Sequence, residues 1–270
     1  MFPKWHQQRR AKIVVWHDPE IAANQLLSLV DRPRHEPAGD MLQPGRNTVS
    51  RLSISGRDGS VKDGCVKDYG LAHIQPWIYR LRRSKAIRAA VAAQTLSDIG
   101  ITTPQPLAVL HQKGMCSLRR VMLVTEFWPH QWSLKDLFSQ SETIWQPHIT
   151  AVGKLLAQLH QHHLVHRDNT AGNTIIRLAT ASEPAQYAVI DINRLRRAVL
   201  NDLEACQNLA EIGFRDDQLR CLLAAYRPQA DDAWHRWAYH VTMQRHDYLL
   251  ARLAAKKARR AQRHRQSEPS

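Results

Sequence analysis

The chain has 270 residues, 43% of them hydrophobic, and it carries a formal net charge of +14. This length and apolar content allow a buried core in one domain or two small lobes, and they exclude extensive disorder except at the ends. The basic excess favours polyanionic partners, namely nucleic acid, anionic lipid or a phosphorylated glycan, and does not choose among them.

Signals for membrane insertion or export are missing from the sequence. No run approaches the ~18–20 apolar residues that a membrane helix needs, and no apolar signal-peptide core follows the basic N-terminus. The cysteines have neither the paired spacing of a zinc site nor the density of a disulfide scaffold, so we expect free thiols in a reducing cytoplasm. They are Cys65, Cys116, Cys206 and Cys221.

The first part of the chain divides into a weakly patterned segment and an alternating one. Residues 1–44 are predicted to be an N-terminal extension with a single apolar run, Ile13 to Trp16. Residues 45–127 are predicted to form one lobe with the order strand, strand, helix, strand, strand. These elements lie near 49–54, 65–69, 84–99, 107–110 and 121–127.

The second part reads mostly as helix. Residues 128–255 are predicted to form a second lobe, and residues 256–270 a basic tail. A helical stretch starts at Leu134, and a helix over 149–163 has apolar residues spaced to bury one face. Two short strands are predicted at 174–176 and 188–190, followed by helices near 203–213, 216–226 and 231–262.

The most informative stretch runs from His166 to Asn173 and reads H-R-D-N-T-A-G-N. Asp191 follows later, at the end of a short apolar run. Phosphoryl transfer from ATP needs a carboxylate that accepts a proton from the acceptor hydroxyl group, and an amide oxygen and a second carboxylate that hold Mg²⁺. The sequence therefore predicts Asp168 as the catalytic base, and Asn173 and Asp191 as metal ligands.

Each piece of this motif also has a plainer interpretation. The first could be a polar surface loop, and Asp191 could simply end a strand. The three residues together, in the correct order, favour the chemical interpretation. Ile192 and Asn193 replace the Phe-Gly that follows this Asp in protein kinases, which indicates a different branch of kinases.

A lysine that binds the phosphates of ATP is also expected. Lys67 follows Val66 on a predicted strand ahead of the first helix, as this chemistry requires. The alternative is a solvated lysine on an edge strand. A glutamate that would hold this lysine is missing from residues 84–98, where Gln94 and Asp98 are the only amide or acidic options.

The parts that would surround the nucleotide are less clear. No G-x-G-x-x-G motif occurs; Gly45-Arg46-Asn47 lies before the first strand of this lobe and Gly56-Arg57-Asp58-Gly59-Ser60 lies after it. The second segment suits a phosphate-covering turn and a plain hairpin equally well. Glu126 ends the strand that would join the two lobes, and its backbone is predicted to meet the adenine.

Basic residues fall into three groups. Those that follow Asp191 are placed to recognise a phosphate or carboxylate on a substrate. Those at the end of the last helix suit either a solvated helix end or an anchor on an anionic membrane. The groups are Arg80, Arg82, Arg83, Lys85 and Arg88; Arg194, Arg196 and Arg197; and Lys256, Lys257, Arg259, Arg260, Arg263 and Arg265.

Over about residues 45–200 the chain resembles the lipopolysaccharide kinase (Kdo/WaaP) family, bacterial enzymes with a protein-kinase-like fold that phosphorylate sugars of the lipopolysaccharide inner core. The pieces that carry the resemblance are Val66-Lys67-Asp68-Tyr69, Arg83-Ser84-Lys85-Ala86, the segment 100–106, Leu123-Val124-Thr125-Glu126 with Ser133-Leu134, the H-R-D loop and the segment 190–196. The departures are the missing helix glutamate and Asn193, where the family commonly has an acidic residue.

The resemblance implies that Lys67 binds the phosphates of ATP, that Asp168 is the base, and that Asn173 and Asp191 hold Mg²⁺. We expect a two-lobed α+β kinase fold, with an antiparallel sheet and one helix in the N-lobe, a mostly helical C-lobe, and ATP·Mg²⁺ between them. The expected acceptor is a hydroxyl group of an inner-core sugar, heptose or Kdo, in a lipid-linked core oligosaccharide at the cytoplasmic face of the inner membrane.

Two alternatives remain open at this point. The chain could be a kinase of proteins or of small molecules such as aminoglycosides. It could also be a catalytically inactive, kinase-shaped protein that uses its basic faces to bind membrane or, less expected, nucleic acid.

Overall fold

The computed structural model describes residues 5–32, 36, 39–44, 47–70, 83–114 and 118–267, and all side chains in these ranges except those of 260 and 263–267. The chain forms two compact units: unit 1 comprises residues 1–130 and 188–195, and unit 2 comprises residues 131–187 and 196–270. Among the described helices, none combines the length and hydropathy that crossing a bilayer requires. Residues named above that lie outside the description are Gly45, Arg46, Arg80, Arg82 and Cys116.

Unit 1 is built on a seven-stranded antiparallel sheet with the order β1-β2-β6-β7-β5-β4-β3. The strands are β1 (His6–Arg10), β2 (Ile13–His17), β3 (Asp40–Gln43), β4 (Thr48–Ser55), β5 (Val61–Asp68), β6 (Pro106–Lys113) and β7 (Leu118–Glu126). Helix α1 (Ala23–Asp31) precedes β3, and helix α2 (Lys85–Asp98) follows β5. The predicted order of strand, strand, helix, strand, strand is confirmed by β4, β5, α2, β6 and β7.

The two helices cover opposite faces of this sheet. Side chains alternate between faces along each strand, and the pairing register places Lys67 and His111 on one face and Asp68 and Arg120 on the other. Helix α1 packs on the Asp68 face, where its buried leucines join the core around Val66. Helix α2 packs against β6 and β7 on the Lys67 face.

The described part of residues 1–44 contributes three strands and a helix to unit 1, although the sequence shows only one apolar run there. Strand β2 lies between β1 and β6, so Ile13, Val14 and Val15 are all buried although they point to alternating faces. Strand β1 at the sheet edge is fully exposed.

A buried ion pair fixes α1 to the sheet. Arg120 Nε donates to Asp68 Oδ2 (2.7 Å), and Arg120 Nη1 donates to the carbonyl oxygens of Val30 and Arg32. The last carbonyl groups of a helix have no partners within the helix. Arg120 therefore satisfies the C-terminal end of α1 while its charge is balanced by Asp68.

Within the described residues, the remaining elements are short strands, three 3₁₀ helices and four α-helices. They are β8 (Trp132–Ser133), 3₁₀ helix Leu134–Ser139, α3 (Glu142–Gln161), β9 (Leu164–His166), 3₁₀ helix Ala171–Asn173, β10 (Thr174–Arg177), β11 (Gln186–Val189), 3₁₀ helix Ile192–Arg194, β12 (Leu195–Arg197), α4 (Asp202–Leu209), α5 (Asp216–Tyr226) and α6 (Asp232–Ser267). The short strands form the orders β11-β10-β8 and β12-β9.

The helices of unit 2 follow the predicted ones with shifted ends. The prediction starts the helix before the H-R-D loop at Ile149, whereas α3 begins at Glu142 and includes Pro147 in its second turn. Helix α3 and helix α5 pack closely at Gly153, where a Cβ atom would lie 2.8 Å from the Leu222 carbonyl oxygen. This close contact holds α3, which leads into the loop, against the body of unit 2.

Candidate functional site

In unit 1, Lys67 and Asp191 form an ion pair. Lys67 Nζ lies 2.8 Å from Asp191 Oδ1, and the two side chains are 22% and 30% exposed. These residues are 124 positions apart in the sequence, so only the tertiary fold brings them together. The structure thus places the predicted phosphate-binding lysine against a predicted metal ligand.

The backbone at Asp191 has an unusual conformation. Asp191 has φ 52° and ψ 38°, in the left-handed region, and directly precedes the 3₁₀ helix Ile192–Arg194. Residues other than glycine seldom adopt this region, and Asp is one of those that tolerate it best. Such outliers cluster at functional sites, where the surrounding structure holds them.

Asn193 and the segment before Asp191 hold this conformation. The Asn193 side-chain amide donates to Asp191 Oδ1 and is buried. The backbone N–H of Val189 donates to the Thr102 carbonyl oxygen (3.0 Å), and Thr103 Oγ1 donates to the Val189 carbonyl oxygen (2.7 Å). Asn193, where the family commonly has an acidic residue, therefore orients the carboxylate of Asp191.

Lys67 also contacts an aromatic ring. Its Nζ lies 5.5 Å from the ring centroid of Tyr69, and Lys85 Nζ at the start of α2 lies 5.9 Å from the same centroid. Gln94 and Asp98, the sequence candidates for holding Lys67, are exposed and hydrogen-bonded to each other (2.8 Å). Asp191 takes the place of a helix carboxylate as the partner of Lys67.

The turn from Gly56 to Ser60 is a closed hairpin. Its backbone N–H groups donate to acceptors within unit 1: those of Gly56 and Gly59 to carbonyl oxygens of the turn itself, that of Arg57 to the Glu20 carbonyl oxygen, and that of Ser60 to Asp58 Oδ1. The turn leads into β5 at Val61, which lies about 20 Å from Lys67 along the extended strand. The structure supports the hairpin interpretation and not the phosphate-covering one.

The last residue of β3 and the first residues of β4 lie near Lys67. Val49, the second residue of β4, pairs with Lys67, so the ends of the two strands that flank residues 45–46 are at the Lys67 end of the sheet. Asn47 Oδ1 accepts a hydrogen bond from the Gly70 N–H (3.2 Å).

Glu126 lies at the end of β7, as predicted, and its backbone N–H already has a hydrogen-bond acceptor within unit 1. That N–H donates to the Gln105 carbonyl oxygen (2.8 Å), and the next N–H, of Phe127, donates to the Asp63 carbonyl oxygen (2.8 Å). Contact with an adenine through the Glu126 backbone is therefore limited to its carbonyl oxygen.

In unit 2, the H-R-D loop is held by its own hydrogen bonds. Asn173 Nδ2 donates to the Asp168 carbonyl oxygen (2.7 Å), and the Thr170 N–H also donates to that oxygen (2.8 Å). His166 is buried, and its Nδ1 accepts from the Asp168 N–H (3.3 Å). The loop thus fixes Asp168 and Asn173 relative to each other.

Asn173 in unit 2 and Asp191 in unit 1 each offer a side-chain oxygen of a kind that suits a magnesium ion. The amide nitrogen of Asn173 donates to the Asp168 carbonyl oxygen, so the amide oxygen is its candidate ligand atom. Asp191 supplies a carboxylate in a fixed conformation. Carboxylate and amide oxygens are the hard ligands that Mg²⁺ prefers.

Two residues that the sequence analysis did not identify, Asn208 and Glu211, form hydrogen bonds with the loop. Asn208 Nδ2 donates to the His166 carbonyl oxygen (3.0 Å), and Asn169 Nδ2 donates to the Asn208 carbonyl oxygen (3.2 Å). Glu211 Oε2 accepts from the Asn169 N–H (3.1 Å). No local pattern marks Asn208 or Glu211, because their roles depend on helix α4 packing under the loop.

Glu211 is a partly buried carboxyl group next to the proposed base. Burial raises the pKa of Glu211; the hydrogen bond from Asn169 opposes this shift, and the negative charge of Asp168 adds to it. Glu211 therefore gains a proton more readily than an exposed glutamate as the pH falls.

The arginines after Asp191 are all exposed: Arg194 in unit 1, and Arg196 and Arg197 in unit 2. In the described part of the chain, the side chains of Arg196 and Arg197 have no ion-pair partner. Their predicted role, recognition of a phosphate or carboxylate on a substrate, stays a prediction.

Comparisons with known proteins agree with this architecture. The model of the lipopolysaccharide kinase (Kdo/WaaP) family matches residues 71–235, more than half of the chain, starting shortly after Lys67. Among solved structures, the chain is similar to WaaP in complex with acyl carrier protein, with a TM-score of 0.53 and 16% identity over 77% of this chain and 88% of that chain. A comparison with curated proteins found no match. The structural similarity confirms the predicted protein-kinase-like α+β fold.

Proposed function

Because the chain belongs to the lipopolysaccharide kinase (Kdo/WaaP) family, we propose that it transfers the γ-phosphoryl group of ATP to a hydroxyl group of an inner-core sugar, heptose or Kdo. Family membership supports phosphotransferase activity in general. The nucleotide, the metal ion, the acceptor and the residue roles are part of the proposal.

The observation that carries the proposal is the ion pair between Lys67 and Asp191. A lysine and a carboxylate at hydrogen-bond distance, both partly exposed, form a pair that a nucleotide phosphate and its metal ion can separate. Bound ATP·Mg²⁺ would supply the phosphoryl group and neutralise its negative charge. Lys67 would bind phosphate oxygens, and Asp191, oriented by Asn193, would hold the metal ion.

The residues of unit 2 have complementary roles. Asp168 accepts the proton of the sugar hydroxyl group as that oxygen bonds to the γ-phosphorus, and the bond from this phosphorus to ADP, the leaving group, breaks. Asn173 would hold the metal through its amide oxygen, since its amide nitrogen donates to the Asp168 carbonyl oxygen. The exposed Arg194, Arg196 and Arg197 bind phosphate or carboxylate groups of the core oligosaccharide.

Replacing the proposed base tests the reaction directly. In Asp168→Asn, we expect the rate of phosphate transfer from labelled ATP to core oligosaccharide to fall roughly 10²–10⁴-fold, while the melting temperature stays within a few degrees. Asp217→Asn, the same exchange at an exposed residue of α5, is the matched control and should keep wild-type activity. Wild-type turnover in Asp168→Asn would refute the assignment of the base.

The acceptor class needs a separate experiment. Labelled ATP is incubated in parallel with core oligosaccharide, protein extract and aminoglycosides, and only the first should become labelled. Mass spectrometry of lipopolysaccharide from a strain that lacks this protein should show the loss of one phosphate unit. Labelling of protein or aminoglycoside alone would contradict the proposed acceptor.

We also propose that the enzyme acts on lipid-linked core oligosaccharide at the cytoplasmic face of the inner membrane. The C-terminal part of α6 supports this, because every described side chain from Arg252 to Arg259 is exposed. Arg252, Lys256 and Arg259 are spaced by four and three residues and so share one helix face. Each cation near an anionic surface contributes on the order of 1 kcal/mol.

Vesicle binding tests this contact with the membrane. The wild-type protein should sediment with vesicles that contain anionic lipid, less so in high salt, and not with neutral vesicles. Replacing Lys256 and Arg259 by Gln should weaken binding while leaving phosphate transfer to soluble core oligosaccharide unchanged. Equal binding to neutral vesicles would contradict an electrostatic contact.

A further inference from the structure

Lys135 lies against the catalytic loop of unit 2. A Cβ atom built on Gly172 would lie 3.1 Å from Cε, 3.2 Å from Nζ and 3.9 Å from Cδ of Lys135. Gly172 directly precedes Asn173 and follows Asp168 by four residues. The ammonium group of Lys135 is therefore beside the segment that carries both the proposed base and a proposed metal ligand.

The backbone on both sides of this contact is fixed. Lys135 is the second residue of the 3₁₀ helix Leu134–Ser139, which begins with a capping box in which the Ser133 N–H and hydroxyl group donate to Asp136 Oδ2 (2.7 and 3.0 Å). Ser133 also pairs with Ile175 in the strand that follows the loop. Lys135 thus starts from a backbone position that is set relative to the loop.

Lys135 has an exposed side chain and, within the described residues, neither an ion pair nor a hydrogen bond. Its ammonium group has three donors and no acceptor. Any side chain on Gly172 would crowd the ammonium group, so glycine at this position leaves room for it. A cation with available donors beside a phosphoryl-transfer loop is suited to an anionic oxygen group.

We propose that the Lys135 ammonium group binds an anionic oxygen group of one of the two reactants, which makes Lys135 a further substrate-binding residue. This inference rests on the proposed function, because it assumes that the loop carries out phosphoryl transfer. The anion comes either from the acceptor, as a phosphate or carboxylate of the core oligosaccharide, or from ATP, as its terminal phosphate. Both sources offer the same charge-assisted hydrogen bonds.

Binding measurements with three variants separate these sources. Calorimetry gives the affinities of Lys135→Met, Lys135→Arg and Lys154→Met for core oligosaccharide, for Mg²⁺ with a non-hydrolysable ATP analogue, and for Mg²⁺ with ADP. Lys154 is an exposed lysine of α3 and serves as the matched control. In Lys135→Met, we expect a roughly 10–100-fold loss of one affinity, with recovery in Lys135→Arg and no loss in Lys154→Met.

The pattern of losses identifies the ligand. A loss confined to core oligosaccharide assigns the anion to the acceptor, and a loss for the ATP analogue with unchanged ADP affinity assigns it to the terminal phosphate. Unchanged affinities for all three in Lys135→Met would overturn the inference. Because these affinities require no turnover, a wild-type protein that transfers no phosphate to core oligosaccharide would overturn the proposed function separately.

Discussion

Two neighbouring residues of β5, Lys67 and Asp68, form ion pairs on opposite faces of the same sheet. Asp68 and its partner Arg120 are 4% and 8% exposed and lie under α1. Lys67 and its partner Asp191 are 22% and 30% exposed. A buried pair is costly to break because it leaves an uncompensated charge, whereas a partly exposed pair exchanges partners with little loss of stability. The Asp68–Arg120 pair therefore stabilises the fold, whereas the Lys67–Asp191 pair is available to a ligand.

The buried pair should give the largest effect on stability. Arg120→Met leaves the Asp68 carboxylate without its partner and the last carbonyl groups of α1 without a donor. We expect the free energy of unfolding to fall by about 3–5 kcal/mol, measured by urea denaturation.

Arg119→Met provides the control for this change. Arg119 precedes Arg120 on β7 and is exposed. Its replacement should change the free energy of unfolding by no more than about 0.5 kcal/mol. A loss below about 1 kcal/mol in Arg120→Met would show that the buried pair does not hold α1 to the sheet.

Breaking the exposed pair should affect activity instead. In Lys67→Met, we expect kcat for phosphate transfer to fall roughly 10²–10³-fold, because a cation that stabilises transferred charge is lost. The free energy of unfolding should change by less than about 1 kcal/mol. Lys62→Met, on the same strand, removes a lysine that pairs with exposed Glu20 and should leave kcat unchanged. Equal activities of the two variants would contradict the role of Lys67.

Local patterns were sufficient to predict much of the fold and to name the candidate site residues, whose roles stay predictions. The H-R-D loop, Lys67 on a strand and Asp191 after an apolar strand all depend on neighbours in sequence. The partner of Lys67 does not depend on sequence neighbours, because Asp191 is 124 positions away. The missing helix glutamate indicated that Lys67 is held differently, but not by which residue.

Helix α1 shows why residues 1–44 could not be assigned. Its N-cap residue Ala22 offers no side-chain cap, and its first turn has no acidic residue. Without these signals, a short helix depends on tertiary packing. Burial of Leu26, Leu29 and Val30 against the sheet supplies that packing, and the sequence alone does not show which surface they meet.

His111 lies on the same face of the sheet as Lys67, but beneath α2. Its Nε2 is hydrogen-bonded to Ser84 Oγ (2.8 Å), the N-cap of α2. Burial, with a smaller contribution from Lys113, lowers the pKa of His111 to about 4. In the unfolded chain the pKa of this histidine is ~6.5, so the unfolded state binds a proton first as the pH falls. The stabilisation is complete above the unfolded value and is lost as the pH falls toward the folded one.

Between pH 7 and pH 5, this proton should cost about 2 kcal/mol of the free energy of unfolding. His111→Gln removes the titration, so its urea-measured loss of stability over this pH range should be smaller than that of the wild type by about that amount. The buried His17 and the partly buried His160 also have lowered pKa values, but they remain in both proteins and cancel in the difference. Equal losses of stability in the two proteins would mean that packing under α2 does not keep His111 neutral. His111 would then not differ in this respect from a partly exposed residue such as Lys67.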